Sequence, residues 1–246
     1  MDWLVPYDPA DGRQPPDPGI PKRLVRHLLR LGEISVGSRV LNAGCGRGEL
    51  THFLSELAIE ASGFDESAEH IEVARNVAGQ SDFACCRAAA NVPFPERHFD
   101  AVLARELPEH RANLLDLSAL RATAHLLATI RPEGRLIIVH RADPACSNPS
   151  DGHHLGCYLR HLEIFPGVPS VSYLIDSLLE AATWKRVLGR QPLAGFVIAV
   201  HSVPRETTSG REWEQIADRA ALRRQQGCCH WALQAAEMRE RARTTA

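Results

Sequence analysis

Two rhythms of apolar residues alternate along this chain. Short apolar runs at Val40–Ala43, Ala61–Asp65, Phe83–Cys86, Phe99–Ala104, Arg135–His140 and Ala194–His201 read as strands. Between them, apolar residues recur at helical spacing. Leu24, Val25, Leu28, Leu29 and Leu31 form one such stripe, opened by Pro21 at a first helical position and closed by Gly32. Leu50, Phe53, Leu54 and Leu57 form the next, and Ile71, Ala74, Val77 and Ala78 a third that Gly79 stops. A longer stripe runs from Leu114 through Leu120 and Leu127 to Ile130. Strand followed by helix, repeated, implies a parallel sheet. Later the spacing predicts a helix over Tyr173–Ala182 and a strand over Trp184–Leu188, with Gln191-Pro192 punctuating the step to the last strand.

The first strand runs directly into Gly44-Cys45-Gly46-Arg47-Gly48 and then into a helix. Glycines without Cβ permit a tight turn and let a ligand approach bare backbone, while the helix N-terminus presents amides to it. About 20 residues on, the second strand ends in Asp65, the spacing that brings a carboxylate to a ribose diol in a βαβ unit. An ordinary glycine-rich turn is the plainer explanation of the loop taken alone.

With Asp65, the alternating Gly-x-Gly-x-Gly resembles the first motifs of the class I S-adenosylmethionine-dependent methyltransferases, not the Gly-x-Gly-x-x-Gly of nicotinamide enzymes. The resemblance continues in order through Phe64-Asp65-Glu66-Ser67, through Asn91-Val92-Pro93-Phe94-Pro95-Glu96 with Phe99-Asp100-Ala101-Val102, and through Ile130-Arg131-Pro132-Glu133-Gly134-Arg135. It spans residues 35–203. It implies an α/β fold, a Rossmann-like, mostly parallel seven-stranded sheet with helices on both faces and an antiparallel last strand. It also implies S-adenosylmethionine as cofactor, held by Asn42, Ala43, Gly44, Cys45, Gly46, Gly48, Asp65, Glu66, Ala89 and Arg105. Two positions depart from the family's pattern. Asn42 replaces an acid, and Ala88 stands where an Asp usually meets the adenine amino group.

Acceptor chemistry belongs at the carboxyl ends of the fourth and fifth strands, where open parallel sheets bind ligands. There stand Arg105-Glu106-Leu107-Pro108-Glu109-His110 and His140-Arg141-Ala142-Asp143, with no Asn-Pro-Pro-Tyr. Methyl transfer is an in-line displacement, so alignment supplies much of the rate and a base serves only an acceptor that keeps its proton. His140 is the first candidate base, though a histidine satisfied by local hydrogen bonds explains it equally. The connection 141–170 is long enough to be a substrate lid, with His153, His154 and Tyr158 as further candidate catalytic residues. Its Cys146, His153, His154 and Cys157 raise a zinc site, but the spacing lacks the usual pairs, and no metal is expected.

Composition narrows the function classes. A net charge of −2 over 246 residues gives no electrostatic footprint for a nucleic-acid backbone. No apolar run reaches the ~20 residues of a membrane span, and the N-terminus does not read as a secretion signal, so a cytoplasmic location is expected. Seven cysteines, an odd number, read as reduced thiols. The domain plan is a proline-rich arm over 1–20, a methyltransferase domain over 21–205 and a helical extension over 206–246, whose Trp213 and Trp231 suggest a homodimer surface or a cover on the core. The expected function is methyl transfer to a small-molecule acceptor. The alternative is a non-catalytic relative used as a binding or assembly module.

Overall fold

The strand and helix rhythms fold into one seven-stranded sheet in the order β3-β2-β1-β4-β5-β7-β6. The structure is a computed structural model and describes residues 20–77, 82–142, 155–175, 195–206 and 208–224. In chain order the elements are α1 (Lys22–Leu31), β1 (Arg39–Ala43), α2 (Glu49–Glu56), β2 (Glu60–Asp65), α3 (Ala68–Val77), β3 (Phe83–Cys85) and β4 (Phe99–Arg105). They continue with α4 (Pro108–Ala112), α5 (Leu117–Thr129), β5 (Ile130–Ala142), α6 (Leu155–Leu162), β6 (Val168–Ile175) and β7 (Gly195–Ser202), followed by a helix over 210–224, α7. Strands β1 to β5 pair in parallel, and β7 runs antiparallel between β5 and β6.

Period-two alternation along the strands feeds a separate core on each face. Leu41, Val102, Ala104, Leu136 and Ile138 pack with Leu120, Tyr158, Phe165 and Trp213 from the side of α5, α6 and α7. Val40, Ala101, Leu103, Ile137 and Val139 pack with Leu24, Leu28, Leu50 and Leu54 from α1 and α2. Both faces are covered, which is why the central strands are apolar throughout and not alternating. Strand order reverses between β1 and β4, so their carboxyl ends part and leave a crevice.

Two expectations are corrected. Tyr173–Ile175, expected to open a helix, lie instead at the end of β6, and residues 176–182 fall outside the described residues. Helical spacing is present in that stretch. However, Val168–Ile175 is rich in β-branched and aromatic residues, and each of its residues pairs with one of β7, from Ser202 back to Gly195. Ile130, expected to end a helix, instead begins β5 and pairs with Phe99. The strand expected at Trp184–Leu188 and the arm at 1–19 also lie outside the described residues. Trp213, one of the two tryptophans that suggested a dimer surface, is 1% exposed and packed in the chain's own core. Trp231 falls outside the described residues.

Candidate active site

After Ala43 the chain turns through Gly44, Gly46 and Gly48, all in the left-handed region at φ 74°, 55° and 86°. Each glycine is there for a different reason. A Cβ on Gly44 would stand 2.3 Å from the carbonyl oxygen of Arg105, so this glycine lets β4 close against the loop. A Cβ on Gly48 would stand 2.9 Å from that of Ala74, so it lets α3 close and caps α2. A Cβ on Gly46 would meet nothing within 4 Å. Its backbone faces open space. The N–H groups of Gly44 and Cys45 both donate to the Phe64 carbonyl at 2.9 Å, fixing the loop to β2.

Asp65 ends β2 beside that open glycine. Its Oδ2 accepts the Gly46 N–H at 3.0 Å, and its Oδ1 accepts the Ser67 N–H at 3.0 Å and lies 3.2 Å from His70 Nδ1. The carboxylate is therefore oriented before any ligand arrives, and each oxygen has lone-pair capacity left. It lines a cavity of about 180 Å³ together with Gly44, Cys86, Ala88, Arg105 and Glu109. Burial pushes the Cys45 thiol up to about 12, with help from Asp65, so this loop sulfur stays protonated. Burial lowers the Arg105 guanidinium while Glu49 and Glu106 oppose the shift, and a positive charge remains on the cavity wall.

A second cluster of groups lies at the ends of β4 and β5. Glu106 follows β4 with φ 48°, a left-handed conformation that glycine usually takes. Its Oε1 accepts the Arg141 N–H; its Oε2 accepts from Arg111 Nη2 at 2.9 Å and stands 3.5 Å from His140 Nδ1. Burial alone would raise the Glu106 carboxyl. The bonds and charge of His140, the Arg141 amide and Arg111 outweigh it and hold the group at about 2. His140 is 6% exposed, and its Nε2 is buried with no partner among the described residues. The Tyr158 ring lies 5.8 Å and the His110 ring 6.2 Å from that of His140. Burial, then Glu106 and Cys157, push the Tyr158 hydroxyl up, so it remains a phenol at neutral pH. Behind His140, His110 Nε2 lies 3.0 Å from Thr123 Oγ1, which lies 2.7 Å from His161 Nε2, while His161 Nδ1 meets the Leu114 carbonyl. With neutral rings the tautomers follow. His161 donates through Nδ1, Thr123 donates to His161, and His110 donates through Nε2.

Residues 40–134 match the family whose model is described as a methyltransferase domain. Over these residues the chain is similar to the class I S-adenosylmethionine-dependent methyltransferases. A ubiquinone biosynthesis O-methyltransferase of Bradyrhizobium diazoefficiens is 33% identical over 120 residues, 48% of this chain and 44% of that protein. The chain thus matches under half the length of that curated relative. Among solved structures, phosphoethanolamine N-methyltransferase 2 of Haemonchus contortus, in complex with S-adenosyl-L-methionine, superposes with TM-score 0.55 at 16% identity, over 74% of this chain and 52% of that one. The [4+2]-cyclase SpnF superposes with TM-score 0.52 at 19% identity, over 74% of this chain and 81% of that one. The two solved structures share the fold of this chain and differ in what they are named for.

The residues expected to hold cofactor fall into two groups. Gly44, Asp65, Glu66 and Arg105 line the cavity, with Ala89 at its rim, where its N–H donates to Glu109. Asn42 is fully buried and faces α2, its Nδ2 donating to Thr51 Oγ1 at 3.0 Å while its Oδ1 has no partner among the described residues. Ala43 and Cys45 are buried on either side of Gly44. Of the expected catalytic residues, His140 and Tyr158 stand together; His153 and His154 lie outside the described residues. Tyr158 sits on α6, which places Tyr158, His161 and Leu162 in the core, so the described part of the 141–170 connection is packed structure. Among the described residues no group of three or more His, Cys, Asp or Glu is placed to hold a metal ion, and no helix is long and apolar enough to cross a membrane. Glu106, Glu109 and His110 were given no role by sequence reasoning. The only signal was their place just after β4, in Arg105-Glu106-Leu107-Pro108-Glu109-His110.

Proposed function

We propose that this protein is a cytoplasmic enzyme that transfers the methyl group of S-adenosylmethionine to a small-molecule acceptor. One observation carries the reading: an oriented carboxylate, Asp65, beside a glycine whose left-handed backbone faces empty space. A nucleoside with a free diol fits that pair, because the diol donates to the carboxylate while the ribose lies against backbone without a Cβ. The cofactor supplies a methyl group already activated on a sulfonium. Gly44, Gly46 and the main chain of Ala43 and Cys45 support its amino-acid and ribose portions, Gly48 and Asn42 hold the loop in shape, and Arg105 faces its carboxylate. Glu66 and Ala89 border the base.

On the acceptor side, Glu106 Oε2, 3.5 Å from His140 Nδ1, favours the tautomer with its N–H at Nδ1, which leaves the lone pair on Nε2, the atom buried without a partner among the described residues. Nε2 takes the acceptor's proton, and Tyr158 shields the ring from water. A hydroxyl or protonated amine acceptor uses this base; one without a proton needs only alignment. A second reading, a methyltransferase fold that only binds or assembles, is favoured by Ala88 and by the inward-facing Asn42. Calorimetric titration with S-adenosylmethionine and with S-adenosylhomocysteine separates the two. Micromolar binding that Asp65→Ala weakens supports the enzyme, and absence of binding to the wild type overturns it.

A further inference from the structure

The sequence departs from its family at Ala88, and the cavity meets that departure from the opposite wall. Glu109 on α4 enters the cavity with a side chain only 2% exposed. Its Oε1 accepts the Ala89 N–H at 3.3 Å, at the long end for such a bond, and lies 3.9 Å from Arg87 Nε. Its Oε2 accepts no hydrogen bond among the described residues. The neighbouring carbonyl, that of Ala88, is already engaged by His125 Nδ1 at 2.6 Å, and Cys86 stays a thiol because burial, then Cys85 and Glu109, push it up to about 11. Leu107 and Pro108 give this end of the cavity apolar wall.

We infer that Glu109 reads the base of the nucleoside, supplying through space the carboxylate that Ala88 lacks in sequence; this rests on the cavity being the cofactor site. An acceptor, Glu109 Oε2, beside a donor, the Ala89 N–H, is complementary to the edge of a 6-aminopurine. The exocyclic amine donates to the carboxylate, and the adjacent ring nitrogen takes over the loosely held amide. A 6-oxopurine presents the reverse pattern, with a carbonyl against the carboxylate and an N–H against an N–H. Both contacts become repulsive.

The experiment is calorimetric titration of the full chain and its Glu109→Gln and Glu109→Ala variants with S-adenosylhomocysteine and with S-inosylhomocysteine, which differ at that edge alone. The wild type is expected to prefer the adenosyl ligand by about 10²-fold. Glu109→Gln, which keeps the shape and can present an amide N–H, lowers the preference to within a few-fold, and Glu109→Ala removes most of it. The ratio of the two affinities within one sample does not depend on the folded fraction. Asp65→Ala weakens both ligands equally and leaves the ratio alone. Equal preference in the wild type and both variants overturns the assignment of Glu109 while the cofactor reading stands. Failure of S-adenosylhomocysteine to bind the wild type overturns both.

Discussion

The two halves of the crevice are built from different materials. The β1–β2 side consists of backbone: three left-handed glycines, two amides on the Phe64 carbonyl and one carboxylate fixed by amides of residues 46 and 67. The β4–β5 side consists of side chains: Glu106 just past β4, and the buried His110 on α4, His140 on β5 and Tyr158 on α6. A backbone site tolerates little change in shape and much in chemistry. A side-chain site does the reverse. Under the proposed function, the first half holds the common cofactor and the second the acceptor.

Substitutions can test that division. His140→Gln keeps the ring pocket filled but removes the basic ring nitrogen, and is expected to lower turnover by about 10²- to 10⁴-fold for an acceptor that must lose a proton. Cofactor affinity by calorimetry should not move; if it does, the halves are not separate. Gly44→Ala forces a Cβ into the Arg105 carbonyl from a left-handed backbone and should cost about 3 kcal/mol in urea unfolding, whereas Gly46→Ala, with open space around it, should cost about 1 kcal/mol. Equal losses would show that shape at Gly44 is not what the loop requires. Asp65→Ala is expected to weaken S-adenosylhomocysteine about 10- to 100-fold with little change in acceptor KM.

The smallest effect concerns pH. Glu106 is held at about 2, below its ordinary 4.5, so its ionised form stabilises the fold above pH 4.5, and that stability is lost as pH falls from about 4.5 to about 2. The side chain is 36% exposed, so solvent screening leaves about 1 kcal/mol. Glu106→Gln should be less stable than the wild type at pH 7, with the difference closing on acidification. A gap that stayed constant down to pH 2.5 would remove Glu106 from the ion pair.

The same division explains what could be read from sequence. The β1 loop, α2 and Asp65 form one continuous stretch of 26 residues, 40–65, so the strand, glycine turn, helix and acid that neighbour one another in the fold could be read together in sequence. His140 was legible because a strand end is a known address. Glu106 and Glu109 were not, because their meaning comes from a partner 34 residues away in one case and from a gap at Ala88 in the other. Asn42 was legible only in part for a related reason: its position in the motif points to the cofactor, and the bond from its buried side chain to Thr51 shows only in the fold. The stretch at β6 carried both rhythms at once, and only pairing with a later strand decides between them.

That pairing also orders the folding of the chain. β6 has β7 as its neighbour and does not touch β5, so a strand made at residues 168–175 waits for one made at 195–202 before it joins the sheet. Until then β5 is a bare edge of apolar residues, open to any passing strand. On the ribosome this interval lasts a few seconds, at roughly 5–20 residues per second. A nascent chain halted within it would be the form most prone to aggregate, and the one a chaperone would meet.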